Sequence, residues 1–223
     1  MKFSTESNQH AFIETVGYSL LILIIFLIGQ SVFDIADFSN KANFTAISVM
    51  SGCAAGTISL LIINRFQRHI IKSQIRLHTN KSWAYLLLLT LSGLFSIAVF
   101  YLFQISELEN RSTLMEFFSS GQATWLLILS VIMIAPLFEE LLFRGFMYQG
   151  LKSTTNNTLI AIFIPNSVWC LMHMAQYNSI GLLVIFSVGM FFGYARWKFD
   201  NLTVPILMHM TFNATTILFA YTL

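Results

Sequence analysis

Charge is scarce in this chain of 223 residues: Asp, Glu, Lys and Arg make up 10% of it, against about a quarter in an ordinary soluble domain. With 56% hydrophobic residues, that scarcity excludes a conventional water-soluble globule. Cysteine is scarcer still. Cys53 and Cys170 lie far apart, both inside apolar runs, and their spacing suggests neither a disulfide framework nor a zinc site. Each reads as a small buried apolar residue. No serine stands in a nucleophile elbow, no HExxH metal motif is present, and no repeat, low-complexity tract or long linker divides the chain. The net charge of +2 says little about partners, and no nucleic-acid partner is expected.

What the chain has in abundance is long apolar runs. Seven read as membrane spans: Val16–Val32, Phe44–Ile63, Trp83–Ile105, Ala123–Phe143, Leu159–Met174, Ile180–Trp197 and Val204–Leu223. Each is near the length that crosses about 30 Å of hydrocarbon, although the fifth is short. The expected fold is therefore all-α and polytopic. The first run follows polar residues that include Glu6 and Glu14, and no small-x-small site follows it. It reads as a retained anchor and not a cleaved signal. The organisation expected is one membrane domain, with residues 1–122 as three supporting spans and 123–223 as the functional core.

Lysine and arginine set the orientation. Arg65, Arg68, Lys72, Arg76, Lys81, Lys152, Arg196 and Lys198 fall on one side if the spans alternate. Asp34, Asp37, Glu107, Glu109 and Glu116 fall on the other, with only Lys41 and Arg111. The positive-inside rule then gives a cytoplasmic N-terminus and an outer C-terminus. The loop Arg65–Lys81 reads first as a topology determinant, though its helical spacing also suits a helix lying on an anionic leaflet.

Against that apolar background a few ionisable groups stand out, because a buried carboxylate or imidazole is costly unless paired and usually marks a functional cavity. Glu139, Glu140 and Arg144 close the fourth run, His173 interrupts the fifth, and His209 and Asn213 interrupt the seventh. On a helix, Glu140 and Arg144 share a face, so Glu140 is expected to be held by the arginine while Glu139, rotated by about 100°, faces another neighbour. Pro136 frees a backbone carbonyl just before them. Trp169 lies one turn before His173 and is expected to wall a pocket; His209 and Asn213 share a face. The alternatives are a structural ion pair and an interhelical hydrogen-bonding patch.

Counting at 1.5 Å per residue from the polar turn Ser153–Asn157 puts Glu139 and His173 at equal depth, roughly 25 Å away. His209 reaches that level if the hairpin of spans four and five protrudes about 10 Å past the sixth–seventh turn. This predicts one cytoplasm-facing cavity, with Arg144 and Lys152 solvated. A carboxylate and an imidazole flanking a water make it a nucleophile, and imidazole or amide N–H groups stabilise an oxyanion. Glu139, His173 and His209 are also a possible ligand set for one divalent ion such as zinc; the cofactor stays open.

The order Glu-Glu-x-x-x-Arg-Gly, aromatic-x-x-x-His, His-x-x-x-Asn, spread over Trp125–Leu223, resembles the CAAX-protease and bacteriocin-processing (CPBP, or Abi) family of intramembrane peptidases. The resemblance implies a polytopic helical fold and endopeptidase activity on a membrane-associated peptide or protein in the bilayer. It implies Glu139 and His173 as water activators, His209 and Asn213 as oxyanion stabilisers, and either metal-dependent or glutamate-type chemistry. Trp169 replaces the family's usual Phe. The compact size points to a bacterial plasma membrane, and the sequence leaves open whether the substrate is prenylated. Two other classes compete: a non-catalytic immunity or assembly factor of the same fold, and a proton relay. The almost wholly apolar outer halves of spans four and seven argue against the relay.

Overall fold

A computed structural model describes residues 2–31, 41–66, 82–106 and 113–222, and every regular element among them is a helix. The helices are α1 (Lys2–Ser31), α2 (Lys41–Phe66), α3 (Ser82–Ser106), the short α4 (Thr113–Ser119), α5 (Trp125–Thr155), α6 (Thr158–Leu171), α7 (Ser179–Phe199) and α8 (Thr203–Thr222). Parts of α1, α2, α5, α7 and α8 are long and apolar enough to cross a bilayer, and α3 and α6 contain shorter apolar stretches, Leu86–Leu102 and Thr158–Leu171. The chain is an all-α polytopic membrane protein. Most of the expected basic loop, and Asp34, Asp37, Glu107, Glu109 and Arg111, lie outside the described residues.

Hydropathy fixes the helices, and local chemistry fixes their ends. Asn156 closes α5 in the left-handed region at φ 50°, a conformation asparagine tolerates better than most residues. The next residue, Asn157, caps α6 by accepting from the N–H groups of Leu159 and Ile160. Asn178 caps α7 in the same way, and Asp200 closes it at φ 45°.

Packing shows that neighbouring segments alternate in direction. Ser48 and Ser51 of α2 donate to the carbonyls of Gln30 and Gly29 at the end of α1. Ser92 and Ser96 of α3 donate to the carbonyls of Met208 and Phe212, so α3 runs alongside α8 in the same sense. Gly150, near the end of α5, is packed against Thr15 in the first half of α1. One end of the bundle therefore carries the start of α1, Arg65, Lys152, Arg196 and Lys198. The other carries α4, the α6–α7 turn and the end of α8, where Phe118 packs on Tyr221.

Two expectations about element limits need correction. The fourth span, read as ending at Phe143, continues as helix to Thr155, with polar residues solvating its last turns. The fifth, read as running to Met174, ends as helix at Leu171. Its 14 residues span only about 21 Å, so the turn carrying His173 lies within the depth of the bundle. The predicted protrusion of the α5–α6 hairpin is present. Gly145 packs against Leu202 beside the α7–α8 turn, and α5 runs on from there to Thr155, more than 10 Å further.

Large apolar side chains such as Leu20, Leu21, Ile24 and Ile28 of α1 are exposed along the outer surface, as a lipid-facing wall requires. Exposed Trp125 and Tyr221 near one end, and Tyr194 and Trp197 near the other, match the aromatic belts of a bilayer interface.

Candidate active site

The irregular part of α5 positions the acidic pair. Ser130–Ile134 and Leu141–Met147 are π-helical, flanking the α-helical turn Ala135–Glu140; such bulges occur often at functional sites. In the first, the N–H of Ala135 bonds to the carbonyl of Ser130. The carbonyl of Val131 then faces the nitrogen of Pro136, which has no hydrogen to give. Asn213 Nδ2 donates to that carbonyl at 2.9 Å. The carbonyl expected to be freed by Pro136 is thus taken up by a side chain of α8. One of the two Asn213 amide hydrogens is committed there, and the other remains.

Glu140 and Glu139 point to different neighbours. Glu140 is fully buried, and its Oε1 accepts from Arg144 Nη1 at 3.0 Å and from His209 Nδ1 at 2.9 Å. Its Oε2 is buried with no hydrogen-bond partner among the described residues. Glu139 Oε2 accepts from the indole N–H of Trp169 and lies 4.0 Å from His209 Nε2. Its Oε1 has no hydrogen bond among the described residues. His173 Nδ1 donates to the carbonyl of Trp169 at 2.9 Å, which leaves Nε2 as the lone-pair nitrogen of the neutral ring. The same logic applies to His209: with Nδ1–H given to Glu140, a neutral ring presents Nε2 as an acceptor, and only the imidazolium presents an N–H toward Glu139.

Arg144 was expected in solvent at the bundle's end. It is instead 2% exposed, with both terminal nitrogens of its guanidinium hydrogen-bonded inside the bundle. Besides Glu140, Nη2 donates to the Gly189 carbonyl at 3.0 Å and to Asn166 Oδ1 at 3.4 Å, and the guanidinium lies 5.0 Å from the Trp169 ring centre. Asn166 in turn donates to the Phe186 carbonyl. Gly189 has to be glycine, since a Cβ there would collide with Asn166, Trp169 and Arg144. Arg196, fully buried, donates from Nε to the Arg144 carbonyl at 3.0 Å and from Nη1 to Asp200, and its guanidinium covers Tyr148 at 4.8 Å. Asn166, Gly189 and Arg196 were not singled out from the sequence as site residues. Asn166, a polar residue inside an apolar span, was the one visible signal.

Glu139, Trp169, His173, His209 and Asn213 all line one cavity of about 440 Å³. Its direction is the reverse of the expected one. The remaining lining includes Gln30, Phe118, Gln176, Thr216 and Ile217, all toward the end that carries α4 and the α6–α7 turn. On the side of the basic turns the space is filled by Leu142, Phe143, Phe146, Met147 and Leu202, all buried. The polar groups share one level, as helix rise requires, while the half filled by those bulky side chains is set by packing between helices.

A zinc held by Glu139, His173 and His209 requires their donor atoms to converge. Among the described residues no group of three His, Cys, Asp or Glu side chains is arranged to hold a metal ion. The arrangement does bring a carboxylate oxygen, two imidazoles and an amide to the wall of a single cavity.

These features define a helical membrane protein with a buried Glu/Arg/His/Asn cluster opening into one cavity. Residues 121–215 match a family model described as type II CAAX prenyl endopeptidase Rce1-like. Over 93 residues the chain is 33% identical to an uncharacterized 24.3 kDa protein of Escherichia coli, covering 41% of this chain and 42% of that protein. Over 94 residues it is 31% identical to the membrane-embedded CAAX protease MroQ of Staphylococcus aureus (strain USA300), covering 41% and 38%. The matched segments thus span about two fifths of these relatives. No solved structure matches the chain. The matched segment 121–215, which holds all seven expected site residues, is thus similar to CAAX-type membrane proteases.

Proposed function

We propose that the protein is an intramembrane endopeptidase that hydrolyses a peptide bond of a membrane-associated peptide or protein. The observation that carries this reading is Glu139: its Oε2 is oriented by Trp169 N–H, its Oε1 is open, and His173 and His209 line the same cavity. A water between Glu139 Oε1 and the scissile carbonyl gives its proton to the carboxylate as its oxygen attacks. His173 Nε2 is a second acceptor for that water. The remaining Asn213 N–H, and the Nε2–H of His209 in its imidazolium form, stabilise the tetrahedral oxyanion. The proton held by Glu139 then passes to the leaving amine. Glu140 and Arg144 act through His209 and are positioning residues.

The Lys/Arg asymmetry supports a cytoplasmic basic end, and the bacterial relatives support a bacterial plasma membrane. In that orientation the cavity belongs to the outer half of the bilayer, which disfavours a cytoplasmic prenylated substrate. A reporter fused after Arg76 is expected in the cytoplasm and one at the C-terminus outside; both on the same side would contradict the topology.

The test of the chemistry is purified protein with a panel of labelled apolar membrane peptides, with and without a chelator. Cleavage by the wild type is expected. Asn213→Ala should lower kcat by on the order of 10²–10³ with little change in KM, provided KM reflects binding. An effect mainly on KM would make Asn213 a substrate-binding group. Activity that falls in His209→Ala together with bound metal would favour the metal-dependent route.

A further inference from the structure

We propose that α1 and α2, outside the family-matched segment, form the substrate-selecting wall of this cavity, and that Gln30 and Gln176 hold an uncharged, apolar peptide segment by its backbone. The inference rests on the peptidase reading of the same cavity and names what the cavity binds.

The lining divides by origin. Opposite the catalytic residues stand Phe26, Leu27 and Gln30 of α1 with Val49 and Cys53 of α2. This wall is built by close packing. Gly52 lies directly under the stem of Gln30, where any Cβ would collide with it, and the neighbouring Cys53 faces the cavity. Phe26 stacks on Phe138 at 4.9 Å, immediately before Glu139, and Gly56 leaves the room that the Phe138 ring occupies. The wall is therefore set at a fixed position relative to the reacting carboxylate.

Its chemistry defines the occupant. Among the described residues the lining contains no lysine or arginine and, apart from Glu139, no carboxylate. Phe26, Val49, Phe118, Ile185 and Phe212 present apolar surface, so a charged side chain entering there would be left unpaired. Gln30 and Gln176 both line the cavity, one from the end of α1 and one from the α6–α7 turn. Neither side-chain amide has a hydrogen-bond partner among the described residues. A primary amide both donates and accepts, which matches the alternating C=O and N–H of an extended peptide and offers nothing specific to a hydrocarbon chain. The volume is within the range of about 300–1,000 Å³ for pockets that enclose drug-sized ligands, larger than a single side chain requires. Leu27 both lines the cavity and is 56% exposed to the lipid side, so the wall borders the bilayer from which such a segment would come.

The test uses the full chain in lipid nanodiscs carrying Glu139→Gln, so that bound peptide persists. The probe is a fluorescein-labelled ten-residue Ala/Leu peptide, read by anisotropy. Gln30→Met and Gln176→Met, close in shape but without the amide, should each weaken binding about three- to tenfold. N-methylation of the central peptide bonds should weaken binding to the parent and cost little more in the double Met variant. Val49→Phe should shift preference from Leu-centred to Ala-centred peptides. A central lysine should abolish binding. Unchanged binding in both Met variants, with melting temperatures at the parent value, overturns the proposal, as does an N-methylation penalty that persists undiminished in the double variant. Tighter binding of an S-farnesylated peptide that ignores both glutamines also overturns it, in favour of a lipid pocket. Because binding is read without turnover, cleavage failure in the wild type would sink the peptidase reading and leave the glutamine result standing. Glutamine-insensitive binding beside intact cleavage would sink only this proposal.

Discussion

Glu139→Gln is expected to give a folded, inserted protein whose turnover falls by about 10²–10⁴, the range a positioned general base contributes. Glutamine keeps the volume and can still accept from Trp169 through its amide oxygen. What it removes is the open carboxylate oxygen, Oε1, that takes the proton from water. The effect should be in kcat with melting temperature nearly unchanged, because Glu139 is not in the buried ion pair that holds α5 to its neighbours. Substantial residual turnover in a correctly inserted variant would take Glu139 out of this role and point to His173 as the sole base.

The second large effect is on stability. Arg144→Ala and Glu140→Ala should each destabilise the fold by about 3–5 kcal/mol, the usual cost of leaving one buried charge without its partner. Removing Arg144 strips the Gly189 carbonyl and Asn166 of their donor and takes from Glu140 one of the two groups that hold it. Glu140 Oε2 already lacks a partner among the described residues, so its environment has little in reserve. Removing Glu140 frees the His209 ring as well, and activity should fall with stability. Arg144→Lys should not rescue, since a single ammonium cannot reach both Glu140 and the Gly189 carbonyl in the fork geometry. Thermal melts in detergent check this; variants that melt like the wild type would mean that the pair carries no structural weight.

The spans and the Glu140–Arg144 pair were legible in the sequence because both are local signals. A bilayer demands long apolar runs, and an i, i+4 spacing puts two side chains on one face whatever surrounds them. The common level of Glu139, His173 and His209 was legible for a related reason, since helix rise is constant. The contacts that complete the site join residues far apart in the chain: His209 with Glu140, Gly189 with Arg144, Arg196 with the Arg144 carbonyl. Arg196 read only as a topology charge, because nothing in its neighbours says that it turns inward over Tyr148. Arg144 read as solvated for the same reason. The direction of the cavity depends on which half Phe143, Phe146 and Met147 fill, and that is a property of packing between helices. Asn213 was legible as a donor, but its hold on the Val131 carbonyl follows from a π-helical register that the sequence does not announce.

The central claim is that water, activated at Glu139, cuts a peptide bond in this cavity. Its most direct measurement is mass spectrometry of a bound apolar peptide after incubation with the purified wild type in oxygen-18 water. Two complementary fragments are expected, with the label in the new carboxylate, and at least about a hundredfold fewer from Glu139→Gln under the same conditions. An intact peptide that demonstrably binds the wild type, or fragments produced equally by both proteins, would contradict it.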